Sequence, residues 1–396
     1  MNKKVLIFSL TDFYVNEPDV IESQIRPITF LQKYKDHYDF YLLLTHTEYD
    51  LKLSKKFNCP HNLNEAKRKY VTLIKSIINN IKIIELNIDN FVKKVMTTNT
   101  FYLEKCNVNI REKFDILITY HNVIDLSIAK YGIDKFRNPR TLKMLLHRNI
   151  DLFDYSLYYI TLYNILNEFF KSFNSSKIQL LEDPLDIKFD GFKIYTSDIE
   201  NDNILKKHGY SFAPFQQYYF FKYFKKKSSI NKDIKFIVSN TLSSKNRLNE
   251  FEKYIADIYN KEKYNKQFKF IFSGIIDNEY LYLKNPVNNH EVPKFVIRSK
   301  FGLLLSTYHG KIISANKLSL FLSNDCVPLI VRNCDDESQL IPKELKDQIE
   351  IKDGECLKKI INDSSNYERL LLSCKKKFHK YQSRKYYEEH FKRLLS

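Results

Sequence analysis

The stretch His290–Arg332, HEVPKFVIRSKFGLLLSTYHGKIISANKLSLFLSNDCVPLIVR, reads as strand, loop, helix, strand with its polar residues gathered at one end. Pro293–Ser299 is helix-forming, and the apolar run Phe301–Leu305 that follows is bounded by Ser306 and short enough to be a buried parallel strand. After a polar loop, Ser314 or Asn316 can cap a helix whose apolar positions 318, 321 and 322 mark a buried face, and Val327–Val331 is the next strand. In an open α/β sheet, ligands bind beyond the carboxyl ends of the strands, and a helix N-terminus offers N–H groups and a partial positive charge. Lys317 adds a full charge on that first turn. The pattern Ala315, Asn316, Lys317, Leu318 therefore points to a phosphate site.

The order "HEVPK, FGLLL, ANKLSLFL, VPLIV" resembles the donor-binding region of bacterial glycosyltransferases of the GT-B architecture, family 4-like or galactofuranosyltransferase-like. The likeness spans about 45 residues and rests on order and spacing rather than on any one piece. It implies transfer of a sugar from a nucleotide-sugar donor, held by the C-terminal half, to an acceptor held by the N-terminal half. Many relatives carry a ribose-binding glutamate seven residues before the strand proline, where this chain has Phe321. Their glycine just before that strand is replaced by Asn324–Asp325–Cys326.

Upstream, Ile234–Asn240 is an apolar strand ending in the loop Ser239–Arg247, where relatives place cations on the donor diphosphate. Ser239, Asn240, Lys245 and Arg247 are the candidates, with Lys245 or Arg247 neutralising the leaving group as the glycosidic bond breaks. An arginine just ahead of a helix is also commonly no more than solvated. A helix over Arg247–Tyr259 and a strand over Phe268–Phe272 follow. Ser273–Gly274 would let a base approach backbone closely, and Tyr308–His309 would meet the sugar.

The N-terminal half repeats the strand and helix rhythm. Strands are expected at Lys4–Leu10, Phe40–Leu44 and Phe114–Asn122, with Ile81–Leu86 as a strand or a helix continuation, and helices at 22–34, 65–79 and 155–173. The fold class is α/β, two Rossmann-like doubly wound domains facing across a cleft. The boundaries fall at 1–226 for the acceptor domain and 230–370 for the nucleotide-sugar domain, with 371–396 a basic C-terminal helix. A proton acceptor on the acceptor side is sought at strand ends, which nominates His121, with Asp12 and His46 as further catalytic candidates.

The 396 residues suit two domains of roughly 150–220 residues each. No apolar run approaches the ~18–20 residues of a membrane span, and no secretory leader is legible, so a cytoplasmic protein is expected, peripheral on the inner membrane face if it binds membrane at all. Six cysteines show neither CxxC nor His/Cys ligand spacing. The net charge of +17 invites an anionic membrane or DNA, while the abundance of Lys, Asn, Ile, Tyr and Phe is also what an AT-rich genome leaves. Lys222–Lys227, Lys375–Lys380 and Arg384–Arg393 interleave cations with aromatics, which suits lipid insertion or base stacking.

P-loop, GxGxxG and nucleophile motifs are absent. No metal ligand set is legible, because Asp198–Asp202 and Asp335–Asp336 lie in surface-like polar tracts. The expected activity is therefore metal-independent transfer of a sugar, with no cofactor and a UDP-sugar as substrate, to a surface glycan or lipid-linked saccharide in polysaccharide biosynthesis. Two alternatives stand beside it: a phage-type DNA-base glycosyltransferase, and a non-catalytic GT-B-like binding subunit.

Overall fold

The computed structural model describes residues 2–10, 25–46, 63–87, 113–120, 152–171, 173–181, 188–223, 231–241, 245–273, 292–306 and 311–396. The chain divides into two compact units, Met1–Thr196 with Leu394–Ser396, and Ser197–Arg393.

In the first unit the strands are β1 (Lys3–Leu10), β2 (Tyr38–His46), β3 (Lys82–Asn87), β4 (Ile116–Tyr120), β5 (Ser176–Leu181) and β6 (Lys193–Thr196). They lie in the order β3-β2-β1-β4-β5-β6, all parallel, with Val5 opposite both Phe40 and Ile116. Continuous apolar runs suit strands buried on both faces: Val5–Phe8 and Ile116–Ile118 are at most 3% exposed. Helices α1 (Leu63–Ile77) and α2 (Leu152–Lys171) accompany the sheet. The segment Arg26–Tyr34 is a 3-10 helix with a proline in its first turn. Lys82–Asn87, open between strand and helix on sequence, is a strand because it pairs with β2.

The second unit opens with α3 (Asp202–His208), β7 (Tyr210–Phe212) and α4 (Phe215–Tyr223). Its sheet follows, from β8 (Ile234–Thr241), β9 (Phe268–Ser273), β10 (Ser299–Leu304), β11 (Val327–Val331) and β12 (Glu350–Ile351), in the parallel order β12-β11-β10-β8-β9. Helices α5 (Lys245–Tyr254), α6 (Ala256–Glu262), α7 (Val292–Val296), α8 (Ala315–Ser323) and α9 (Lys343–Ile349) lie between the strands, and α10 (Gly354–Asn362) follows the last of them. The chain then runs through α11 (Ser364–Lys377), a 3-10 turn at His379–Gln382 and α12 (Arg384–Leu395). Phe236, Val238, Phe301, Leu303, Val327 and Leu329 are fully or almost fully buried, each contributing about 1.5–3 kcal/mol.

The structure differs from the sequence reading at three boundaries. The units meet at Thr196–Ser197 rather than between residues 226 and 230. Within the second unit, Gln217 Nε2 donates to Ser197 O (3.0 Å), Ala315 N to Asp198 Oδ1 (3.0 Å) and Glu200 N to Ser338 O (2.8 Å). The helix expected at 247–259 breaks at Ile255, where the Gly354 end of α10 abuts the carbonyl of Tyr254. The terminal segment is three pieces rather than one helix. Lys380 Nζ and Tyr381 Oη each donate to Glu200 at 2.5 Å, and Phe378 stacks on Tyr381, which folds the chain into a tight turn.

Candidate functional site

The strand order β9-β8-β10-β11-β12 places the reversal of winding between β8 and β10, and the carboxyl ends of those two strands are where an open α/β sheet binds its ligand. Helix α5 leaves β8 there, and α8 follows β10 after a loop. Each contributes a cation.

Lys317, on the first turn of α8, donates to the carbonyl of Ser239 at 2.6 Å and to Asn240 Oδ1, both at the end of β8. Burial drives its pKa well below the lysine range, and the nearby Arg247 charge pushes the same way. A lysine held among neutral acceptors and beside a second cation gains most from an anion. Asn240 is buried, and among the described residues its Nδ2 donor finds no partner.

Arg247 is 9% exposed, so the solvated reading of this loop arginine fails. Its Nε donates to Ser306 O at 2.8 Å, while Ser306 donates N–H to Glu250 at 2.9 Å and its hydroxyl to the same carboxylate. Burial raises the Glu250 carboxyl, against the pull of the Ser306 bonds and the Arg247 charge. Arg247 and Glu250 stand three apart on α5, one turn that grips the end of β10 from two sides. Sequence reasoning missed Glu250 and Ser306. The three-residue spacing of Arg247 and Glu250 was the signal available, but it acquires meaning only once β10 lies beside α5.

The N-terminus of α8 is not empty of anions. Ser314 holds the N-cap position without a side-chain bond, and the N–H of Ala315 is taken by Asp198. The Leu318 N–H is used within the helix, bonding Ser314 O, and its side chain is core. Asn316 stays partly exposed on the same turn as Lys317. The tracts read as surface-like are in part buried: Asp198 is 8% exposed and Asp335 only 1%. Asp335 accepts from Ser338 Oγ (2.5 Å), Leu340 N and Ile341 N (both 3.0 Å), and Ser338 Oγ in turn accepts the N–H of Ile313 just before α8.

Of the other candidates, Lys245 begins α5, Ser273 ends β9 and His46 ends β2, with side chains outside the described set. Asp12, His121, Gly274, Tyr308 and His309 lie outside the described residues. Phe321 occupies the ribose-glutamate position as a core residue, 2% exposed, its ring lying over Gly302 of β10. The glycine expected before β11 has its conformational equivalent in Asp325, at φ 50°.

The interleaved aromatics of the basic C-terminal clusters face inward: Phe378, Tyr387 and Phe391 are at most 2% exposed. Several of the cations are paired, Lys375 with Asp325 (3.1 Å), Lys377 with Glu344 (3.5 Å) and Lys380 with Glu200 (2.5 Å). This overturns the reading of those rings as lipid anchors or stacking platforms. No helix among the described residues is long and apolar enough to cross a membrane.

No family model and no curated protein matches the sequence. Among solved structures, the chain is similar to T4 phage beta-glucosyltransferase at 10% identity and a TM-score of 0.54, with 99% of each chain covered. It is likewise similar to T4 phage BGT in complex with its UDP-glucose substrate, at 12% identity and a TM-score of 0.53, again over 99% of both chains. The fold is GT-B. At these identities the likeness is one of fold, two Rossmann-like doubly wound domains, and the chemistry has to be argued from this chain's own residues.

Proposed function

We infer that the protein is a glycosyltransferase that takes a nucleotide sugar, a UDP-sugar such as UDP-glucose, at the carboxyl ends of β8 and β10. The observation that carries this reading is the pair of cations at that point, the half-buried Lys317 bonded to Ser239 O and Asn240 Oδ1 at the end of β8 and the buried Arg247 bonded to Ser306 O. A diphosphate supplies the acceptor oxygens and negative charge this constellation needs, and as the glycosidic bond breaks the two cations stabilise the charge that develops on the departing UDP. The likeness of the His290–Arg332 stretch to family 4-like and galactofuranosyltransferase-like donor regions supports the same assignment. T4 phage BGT, which shares the fold, has UDP-glucose as its substrate.

On the acceptor side we assign the proton-accepting role to His121, which directly follows β4 in the chain, with Asp12, two residues beyond β1 in the sequence, and His46, the last residue of β2, as further polar groups. β1 and β4 are neighbours at the reversal point of the first sheet, the position equivalent to β8 and β10 in the second. The acceptor is a surface glycan or lipid-linked saccharide, the reaction needing neither metal nor cofactor.

A second reading, a phage-type DNA-base glycosyltransferase, is favoured by the +17 net charge, which is the electrostatic footprint of a polyanion partner. It draws nothing from the C-terminal aromatics, which are core.

The test is sugar transfer from radiolabelled UDP-glucose by the full chain, offered in parallel to lipid-linked saccharides and to duplex DNA carrying hydroxylated bases. Thermal stabilisation by UDP is recorded alongside. Transfer that is lost in Lys317→Ala supports the reading, and the acceptor that is labelled chooses between its two forms. Neither stabilisation by any nucleotide nor transfer, with the protein folded, overturns it and leaves the non-catalytic subunit.

A further inference from the structure

Ser306, two residues beyond β10 and fully buried, has its N–H, its hydroxyl and its carbonyl all engaged by one turn of α5. The N–H donates to Glu250 Oε2 at 2.9 Å, the hydroxyl donates to Glu250 Oε1, and the carbonyl accepts from Arg247 Nε at 2.8 Å. Neutral partners would suffice to satisfy a serine at a strand end. Here both oxygens of a half-buried carboxylate are given to that one neutral residue. Burial raises the Glu250 carboxyl in spite of the bonds from Ser306, so the ionised group is held at a cost. A local arrangement less stable than its neutral equivalent points to a use beyond holding the strand.

The neighbouring charges supply that use. Arg247 pushes the pKa of Lys317 down, so the two cations at the ends of β8 and β10 repel each other while no anion lies between them. The Arg247 charge also favours the ionised form of Glu250, so the carboxylate offsets at Arg247 part of the repulsion from Lys317. The turn that carries both residues is seated independently of Ser306. Phe251, the next residue of α5, is buried and meets Phe272 of β9 edge-on at 5.1 Å and Tyr259 of α6 at 5.9 Å.

We propose that Glu250 is a positioning residue of the donor site: by fixing Ser306 it holds the Arg247 guanidinium in place for the diphosphate before the nucleotide sugar arrives. The inference rests on the nucleotide-sugar reading of Lys317 and Arg247. Glu250 touches no substrate and acts through Ser306 and Arg247. A cation ordered in advance binds its anion more tightly, because less freedom is lost when the ligand arrives.

Glu250→Gln keeps the length of the side chain, but its single carbonyl oxygen replaces two acceptors and its amide NH2 faces a Ser306 donor. Full-length native and variant chains are compared in the water-exchange rate of the Arg247 Nε–H, read by NMR of the isotope-labelled guanidinium and assigned by its loss in Arg247→Lys. Affinities for UDP and for uridine are measured alongside, by calorimetry and by NMR titration. The Arg247 Nε–H is expected to exchange faster in the variant and UDP to bind about tenfold more weakly, while uridine, which carries no phosphate, changes by less than about twofold. Ser306→Ala removes the hydroxyl and leaves the carbonyl for Arg247, so it shows the same pattern with a loss of about threefold on UDP, and it serves as the test if Glu250→Gln does not fold. Equal weakening of UDP and uridine marks a merely structural residue and overturns the proposal, as does a variant with native UDP affinity or native Nε–H exchange. These outcomes leave the nucleotide-sugar reading standing. A folded native chain that binds no nucleotide overturns that reading, and the positioning role with it.

Discussion

The carboxylate of Asp198 accepts the N–H of Ala315 at 3.0 Å, across 117 residues of sequence, and so occupies the first backbone donor of α8. A helix N-terminus stabilises a nearby anion by about 0.3–1 kcal/mol, and here the protein spends part of that field on its own side chain. A second anion at the same helix end is repelled by the first. Asp198→Asn keeps an oxygen for the Ala315 N–H and removes the charge. UDP affinity is expected to rise about fivefold, equivalent to roughly 1 kcal/mol, by isothermal titration. Asp198→Ala, which loses the cap as well, costs about 1 kcal/mol of stability.

On the proposed reading, Lys317 and Arg247 hold the same diphosphate through different geometry. Removing a charge-assisted hydrogen bond costs about 1.5–3 kcal/mol, so Lys317→Ala is expected to weaken UDP binding by about 10- to 100-fold. Arg247→Ala loses the Ser306 bond too and falls further, with Arg247→Lys restoring little because the guanidinium fork is not reproduced. The depressed lysine adds a pH signature. Free, Lys317 sheds its proton at a lower pH than an ordinary lysine; with a diphosphate beside it, the charged form is favoured. Between the free and the bound value, binding therefore takes up a proton and weakens as pH rises, which calorimetry in buffers of different ionisation enthalpy reads directly.

Asp335 imposes a pH dependence on stability. Burial raises its carboxyl from an ordinary 3.8 to about 6, outweighing the bonds from Ser338, Ile341 and Leu340 that pull it down. Between those values the folded state holds a proton that the unfolded chain has released. The stabilisation is complete below the ordinary value and is lost as pH rises through about 6, a swing of roughly 3 kcal/mol. Asp335→Asn removes the titration. The melting temperature of the native protein relative to this variant is expected to fall from pH 4 to pH 7 on the order of several degrees.

Gly302 and Phe321 share one space. A Cβ on Gly302 would stand 2.6 Å from the ring of Phe321 and 3.0 Å from Cys326 Sγ, and the ring is only 2% exposed and so has nowhere to move. Gly302→Ala is expected to destabilise by about 1–3 kcal/mol in urea unfolding. Phe321→Leu shortens the opposing side chain, so the double variant recovers part of the loss, a coupling a double-mutant cycle isolates. By the same packing, a glutamate at 321 would bury its carboxylate among apolar neighbours.

Local signals carried far in the second unit. Val327–Val331 and Ile234–Thr241 are strands because continuous apolar runs bounded by polar residues suit a sheet covered on both faces, and Lys317 stands on the first turn of α8 as the capping pattern required. The partners of those residues were not legible. Glu250 and Ser306 are separated by 56 residues, and Glu200 and Tyr381 by 181, distances over which no periodicity reports contact.

The sequence by itself determined the alternation of strand and helix, the two-domain α/β architecture and the cation on the first turn of α8, because each follows from the chain's immediate neighbourhood: side-chain periodicity, capping and the length of apolar runs. Only the tertiary structure decided that Arg247 is buried, that Asp198 caps α8, that the aromatics of the C-terminal helices are core, and that the first 26 residues beyond Thr196, up to Lys222, lie with the second unit. These depend on desolvation and on which strands become neighbours at β8 and β10, and both are properties of groups brought together from distant parts of the chain.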